Sequence, residues 1–185
     1  MIFNMQIARC GSLQQSNQNK KETKLRMNTI RIMSHAQFET YTREVDIPDF
    51  IAIVIFSKDK QTPHINRNEH MIDLLLEQFE DADDSEHGMC YSQAKQIAGF
   101  VRKYEQSDVD IIVTCRYGQS RSAGVAAAIT AYLEQDEMKI FENPNKMPNM
   151  HCYALICQAL GIERTEAELR ERYLINAKAS RGHIC

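Results

Sequence analysis

Cys115 and Arg121 are separated by five residues, and Ser122 follows the arginine directly. A cysteine thiolate is a strong nucleophile, and a guanidinium can bind two oxygens of one phosphate group. Five intervening residues are enough for successive backbone N–H groups to surround a tetrahedral oxyanion. Gly118 allows the backbone to close around such a ligand, because it lacks a Cβ atom. The sequence therefore predicts a thiolate nucleophile inside a phosphate-binding loop. Its predicted substrate-binding residues are Arg116, Tyr117, Gly118, Gln119, Ser120 and Arg121.

The elements on either side of this loop would position it. Residues 111–113 form a β-branched apolar run that is typical of a buried parallel strand, so Cys115 is expected at a strand's carboxyl end. Residues 123–133 predict a helix whose N-terminal amides and dipole face the sulfur. Such surroundings lower a cysteine pKa from about 8.5 to roughly 3.5–7.5. Ser122 is placed to hydrogen-bond the sulfur, which would help the thiolate leave a phosphocysteine.

The segment Cys-Arg-Tyr-Gly-Gln-Ser-Arg-Ser resembles the Cys-x5-Arg-Ser/Thr signature of the cysteine-based protein tyrosine phosphatase superfamily, and its small dual-specificity members most of all. The resemblance implies a three-layer α/β fold with a central, mostly parallel sheet between helices. It also implies a protein phosphatase that hydrolyses phosphotyrosine, with phosphoserine and phosphothreonine as further substrates, through a phosphocysteine intermediate and without a metal or organic cofactor. Thr114 stands where the family usually has a histidine that orders the loop, and a hydroxyl can replace part of that hydrogen bonding.

The resemblance also calls for an aspartate on a loop upstream of the nucleophile, to protonate the leaving oxygen. Phe79-Glu80-Asp81 resembles the family's aromatic-x-Asp pattern, with glutamate in place of the usual proline. Asp81 is the first candidate for the general acid, Asp83 the second and Asp84 the third. Acidic clusters of this kind also occur as solvated turns, and Asp84 or Ser85 could instead cap the helix that follows.

Alternative functions remain open at this stage. The loop could belong to a catalytically weak module that binds a phosphorylated partner without cleaving it, a reading favoured by Thr114 and by Glu80. A rhodanese-like sulfurtransferase is a weaker alternative, because the common rhodanese loop is one residue shorter. Arg116 could bind a second anionic group on the substrate or simply be solvated. Pro148-Asn149 resembles a pair found in small bacterial members of the group, and equally fits a helix start.

Composition limits the range of partners and places. The 185 residues suit one domain, and an apolar content of 43% can fill a core. The formal net charge of −3 gives no basic excess, so neither nucleic acid nor a membrane is expected as a partner. The six cysteines lack zinc-like spacing and are expected to be reduced thiols. A cytoplasmic location and a phosphomonoester substrate are predicted, while the sequence indicates no oligomeric state.

Residues 1–26 are predicted to form a disordered extension, since residues 11–26 are polar and lack an apolar period, and residues 27–180 to form the phosphatase-like domain. Hydrophobic periodicity predicts the remaining elements. The expected strands are residues 29–33, 50–56 and 71–76, and the expected helices are residues 35–41, 92–104, 149–160 and 165–177.

Overall fold

The computed structural model describes residues 28–58, 60 and 62–182. Four parallel strands form one sheet in the order β1-β4-β2-β3. The strands are β1 (Ile30–Ser34), β2 (Phe50–Phe56), β3 (Met71–Gln78) and β4 (Asp110–Cys115). The helices are α1 (His35–Tyr41), α2 (Tyr91–Tyr104), α3 (Arg121–Tyr132), α4 (Met138–Phe141), α5 (Met150–Leu160) and α6 (Glu166–Arg181).

Helices cover both faces of the sheet, because its central strands are apolar on both faces. Successive residues of a strand point to opposite sides. In β2, Ile51 and Ile55 belong to the larger core, which includes residues of α2, α3 and α5. Phe50 and Val54 belong to a smaller core that contains Phe38 of α1. The predicted three-layer arrangement with a central parallel sheet is thus confirmed.

Helix α3 lies inside the molecule, and every residue from Arg121 to Thr130 is buried. Its small side chains allow this, since neighbouring elements can approach its backbone closely. A Cβ atom on Gly124 would come within 2.3 Å of the Asn149 carbonyl oxygen. The helix that begins at the nucleophile loop is therefore fixed against the start of α5.

Most predicted elements agree with the structure to within one or two residues. Strand β2 and helix α1 have the predicted bounds, while β3 continues to Gln78 and α3 begins two residues early, at Arg121. Helix α6 extends to Arg181, four residues beyond the predicted end. The predicted disorder of residues 1–26 lies outside the described residues and stays a prediction. In the described part of the chain, no helix is long and apolar enough to cross a bilayer.

Candidate active site

Cys115 is the last residue of β4, and its side chain is only 3% exposed. The Ser122 hydroxyl lies 3.1 Å from Sγ and can donate a hydrogen bond to it. Burial raises the pKa of the thiol. The hydrogen bonds from the Ser122 hydroxyl and from the backbone N–H groups of Ser122 and Gly118, with the charge of Arg121, outweigh burial and hold the pKa below its ordinary value. A strand end thus presents a thiol whose pKa lies below its ordinary value.

Residues 115–120, which we call the cradle loop, are held against β1. Gly118 has φ = 66°, and a Cβ atom there would lie 2.5 Å from the Ser34 backbone nitrogen. The Lys146 ammonium donates to the Gly118 carbonyl at 2.5 Å, and the Met147 N–H donates to the Gln119 carbonyl at 3.0 Å. The loop is therefore braced through its backbone on two sides, and glycine is required where it touches the strand.

Arg121 is almost completely buried behind the cradle loop, with an exposed fraction of 5%. Its Nη1 donates to the Phe79 carbonyl at 2.7 Å and to the Ser57 hydroxyl at 3.1 Å. Its Nε has no acceptor among the described residues. Buried donors are rarely left unpaired, so this N–H group is available to a ligand.

Thr114 does not supply the hydrogen bond that a hydroxyl can offer to the loop. Its side chain is fully buried, and Oγ1 has no partner among the described residues. Thr114 and Cys115 are adjacent in β4, so their side chains point to opposite faces of the sheet. The threonine therefore faces away from the cradle loop, and its hydroxyl replaces none of the hydrogen bonding of a loop-ordering histidine.

Residues 79–89, which we call the acid loop, cross the mouth of the site after β3. Asp81 Oδ1 accepts hydrogen bonds from the Ser120 hydroxyl at 2.7 Å and from Asn149 Nδ2 at 2.9 Å. No described residue donates to its Oδ2. Because Ser120 ends the cradle loop, these contacts anchor one carboxylate oxygen beside the cradle and leave the other available to a substrate.

The other two aspartates occupy different positions. Asp83 is exposed and lines a groove next to the site. Asp84 accepts hydrogen bonds from the backbone N–H groups of Glu86 and His87, each at 2.9 Å, and the bond from His87 is the main cause of its lowered pKa. Neither Asp84 nor Ser85 caps the next helix, because Cys90 occupies that position. Asp84 instead closes a local turn, so the alternative that it caps this helix is wrong.

Three residues of the cradle loop are exposed, namely Arg116, Tyr117 and Gln119. The Arg116 guanidinium lies over the Tyr117 ring, 5.1 Å from its centroid. Tyr117 is 66% exposed. The sequence brought Arg116 forward as a contact for a second anion, and the structure places it at the surface near the mouth of the site.

The structure adds three contributors that the sequence did not single out. Asn149 caps α5 through Oδ1, which accepts from the Cys152 N–H at 2.8 Å, and uses Nδ2 to hold Asp81. Lys146 reaches the cradle loop from a segment without regular structure. The half-buried His35 hydrogen-bonds the Ile55 carbonyl at 3.0 Å. Burial lowers the pKa of this imidazole, and the charges of Arg121 and Arg116 lower it further, against the hydrogen bond. Only the pair Pro148-Asn149 gave a sequence signal.

No protein-family model and no curated protein matches the sequence. Several solved structures resemble it. A mouse candidate dual-specificity phosphatase complexed with zinc tungstate has 15% identity and a TM-score of 0.46, over 61% of this chain and 70% of that one. Human DUSP28 has 11% identity and a TM-score of 0.42, over 83% and 94% of the two chains. Tk-PTP in its active form has 13% identity and a TM-score of 0.41, over 82% and 93%.

Dual-specificity phosphatases, the group that the cradle loop resembles, are thus among the structures similar to this chain. At these identities and TM-scores the likeness says nothing about activity. What the site can do follows from its own groups: a thiol whose pKa is lowered, an unpaired buried guanidinium N–H and a carboxylate at the mouth. Among the described residues, no three His, Cys, Asp or Glu side chains are grouped so that they could hold a metal ion.

Proposed function

We propose that this chain is a cysteine-dependent protein phosphatase that hydrolyses phosphotyrosine, with phosphoserine and phosphothreonine as further substrates. The observation that carries the proposal is the pairing of Cys115, whose thiol pKa is lowered, with Arg121, whose buried Nε lacks an acceptor. A phosphate group would satisfy that donor and the N–H groups at the start of α3. The same loop would then hold phosphorus in reach of the sulfur.

In the first step, the Cys115 thiolate attacks phosphorus in line with the leaving oxygen. The S–P bond forms as the P–O bond breaks, and the leaving oxygen takes a proton from Asp81. Arg121 and the loop N–H groups stabilise the charge on the three equatorial oxygens. The first step yields the free alcohol or phenol and a phosphocysteine.

In the second step, water attacks the phosphocysteine. Asp81, now a carboxylate, accepts a proton from the water, while the S–P bond breaks and releases inorganic phosphate. The Ser122 hydroxyl, 3.1 Å from Sγ, donates a hydrogen bond to the departing thiolate. Asp81 is favoured over Asp83 and Asp84 for both proton transfers, because it alone of the three bonds the cradle loop.

The decisive test is hydrolysis of p-nitrophenyl phosphate by the wild type and by Cys115→Ser. Loss of the nucleophile should lower kcat by roughly four to six orders of magnitude, as expected for covalent catalysis. Orthovanadate binding to each protein, measured by calorimetry, controls for folding of the cradle. Turnover that survives in Cys115→Ser would exclude the mechanism, as would reversible loss of activity on adding EDTA.

A phosphate-binding module without turnover is the second candidate, and the position of Thr114 favours it. The Thr114 hydroxyl is unpaired and faces away from the cradle loop, so it gives the loop no hydrogen bond. If the wild type binds orthovanadate but releases no phosphate from either p-nitrophenyl phosphate or phosphotyrosine peptides, the module is the correct assignment. Thiosulfate turnover would instead indicate a sulfurtransferase.

A further inference from the structure

A groove of about 820 Å³ opens beside Asp81, between the acid loop, the segment before α5 and the last helix, α6. Its lining includes Asp81, Ser120, Met147, Met150, Tyr173 and Ala177. Its volume falls within the ordinary range of ligand sites in proteins, about 300–1,000 Å³. None of the steps of phosphate cleavage uses its apolar part.

The groove is continuous with the candidate active site. Asp81 and Ser120 line it, and the same two residues are hydrogen-bonded at the mouth of the cradle. A ligand whose phosphate occupies the cradle loop therefore has its neighbouring groups at the entrance to the groove. In an extended peptide the chain advances about 3.3 Å per residue, so the next side chains are those that reach it.

The wall formed by α6 is tied to the cradle loop by hydrogen bonds. Asn176 Nδ2 donates to the Lys146 carbonyl at 2.8 Å and to the Phe141 carbonyl at 2.9 Å. The Lys146 ammonium in turn donates to the Gly118 carbonyl. The groove and the cradle loop therefore keep a fixed spacing, as a recognition site for a peptide requires.

The chemistry of the groove favours an apolar group. Met147 and Tyr173 are 58% and 59% exposed, although large apolar side chains are usually buried. The carboxylates of Asp81 and Asp83 stand on the side of the active site, where they would repel a second anionic group. The arginine of the lining, Arg181, is the last residue of α6, away from these carboxylates along the chain. Next to the active site, an apolar neighbour of a phosphorylated residue therefore fits this surface better than a second phosphate group.

We propose that this groove binds a large apolar side chain next to the phosphorylated residue of a protein substrate, and so sets the preference among substrates. The proposal rests on the proposed phosphatase function and names its substrate class. Tyr173 is the residue whose ring would contact that side chain. It acts in binding alone, since it is not among the residues that touch the phosphate.

Two neighbouring residues of α6 provide a matched test. Tyr173 and Leu174 are exposed to similar extents, at 59% and 54%, but Leu174 lines a different surface, with Arg170 and Lys178. We would measure kcat/KM for the wild type, Tyr173→Ala and Leu174→Ala. The substrates are p-nitrophenyl phosphate, a phosphotyrosine peptide with leucine on both sides of the phosphotyrosine, and the same peptide with alanine there.

The wild type should prefer the leucine peptide to the alanine peptide by about tenfold, the scale on which an apolar pocket discriminates. Tyr173→Ala should abolish this preference and leave the rate on p-nitrophenyl phosphate unchanged. Leu174→Ala should preserve both. Circular dichroism melts of the two variants show whether either change acts through folding.

Equal rates of the wild type on the two peptides would overturn the groove proposal while leaving the phosphatase proposal intact. So would a loss in Tyr173→Ala that is as large on p-nitrophenyl phosphate as on the leucine peptide. If the wild type cleaves neither p-nitrophenyl phosphate nor peptide, the phosphatase proposal fails instead. Fluorescence anisotropy of the two labelled peptides, with the wild type and Tyr173→Ala, then tests the groove through binding alone.

Discussion

The cradle loop and the acid loop meet at a single hydrogen bond, between Ser120 and Asp81, but they are held in different ways. The cradle loop is braced through its backbone, with Gly118 pressed against β1 and its carbonyl bound by Lys146. The acid loop brings its carboxylate to the site through side-chain contacts, an exposed one with the Ser120 hydroxyl and a partly buried one with the Asn149 amide. Phosphate binding is thus built into the fold, whereas placement of the proton donor depends on contacts that can exchange.

After loss of the Cys115 nucleophile itself, replacement of Arg121, which directly follows the cradle loop, should produce the largest loss on the cradle side. Lysine keeps the charge but lacks the planar fork, and the donors of Arg121 to Phe79 and Ser57 would be lost with it. We expect Arg121→Lys to lower kcat/KM on p-nitrophenyl phosphate by about 10³-fold. Arg116→Lys, at the exposed arginine of the cradle loop, is the control and should change little. Similar losses in both variants would contradict the assignment.

On the acid-loop side, Asp81→Asn should lower kcat by about 10²-fold, the usual contribution of a general acid. The loss should grow with poorer leaving groups, and the alkaline limb of the kcat profile should disappear. The acid limb of the kcat/KM profile reports ionisation of the Cys115 thiol and should remain. It should lie below the ordinary pKa of a cysteine. Asp83→Asn and Asp84→Asn are the matched controls. A larger loss in either would move the acid role to that residue.

Two glycines with positive φ allow the effect of backbone strain to be measured separately from the effect of a clash with β1. Gly118 and Gly161 have φ = 66° and 84°, but no atom lies within 4 Å of a Cβ placed on Gly161. Alanine should cost about 1–2 kcal/mol of unfolding free energy at Gly161 through strain alone, with activity retained. Gly118→Ala should lower the unfolding free energy further, as measured by urea denaturation, and should also weaken orthovanadate binding. Equal effects at both sites would show that the loop moves away from Ser34 without consequence.

The stability of the folded protein should depend on pH through Glu77, which lies in β3 just before the acid loop. Burial raises the pKa of Glu77 to about 7, against a hydrogen bond from Gln93. Between about pH 4.5 and 7, the folded protein holds a proton on Glu77 that the unfolded chain has released. Proton binding therefore stabilises the folded state at low pH, and this contribution is lost as the pH rises through 7. The unfolding free energy of Glu77→Gln, relative to that of the wild type, should be higher at pH 8 than at pH 4 by on the order of 2 kcal/mol. Urea denaturation at both pH values measures this, with the exposed Glu86→Gln as control.

The smallest effect is expected at Thr114. Since its buried hydroxyl has no partner, Thr114→Val should raise the unfolding free energy by about 1 kcal/mol and leave turnover unchanged. Thr130→Val is the matched control. The buried Thr130 hydroxyl donates to the Ala126 carbonyl at 2.7 Å, so its removal should lower the unfolding free energy. Slower turnover in Thr114→Val would mean that this hydroxyl acts during the reaction.

The same contrast explains what the sequence could predict. The cradle loop lies within eight consecutive residues between a strand and a helix, so its composition and spacing indicate its shape. Asp81 could not be separated from Asp83 and Asp84, because its partners Ser120 and Asn149 lie 39 and 68 positions away. The contact from Lys146 has the same cause, since it crosses 28 positions. The cap at Cys90 is local, and it was missed because cysteine is not among the usual N-cap residues. A motif describes local geometry, and tertiary contacts decide which of several similar residues is used.

The contacts that close the site also join distant parts of the chain. Arg121 bonds Phe79 and Ser57, which are 42 and 64 positions away, and Asn28 bonds Val109 across 81 positions. Contacts of this range form slowly, because the intervening chain must be ordered first. During refolding, helical circular dichroism should therefore recover before orthovanadate binding does. A nascent chain would hold Cys115 as an ordinary thiol until the residues around Asn149 have been synthesised and packed.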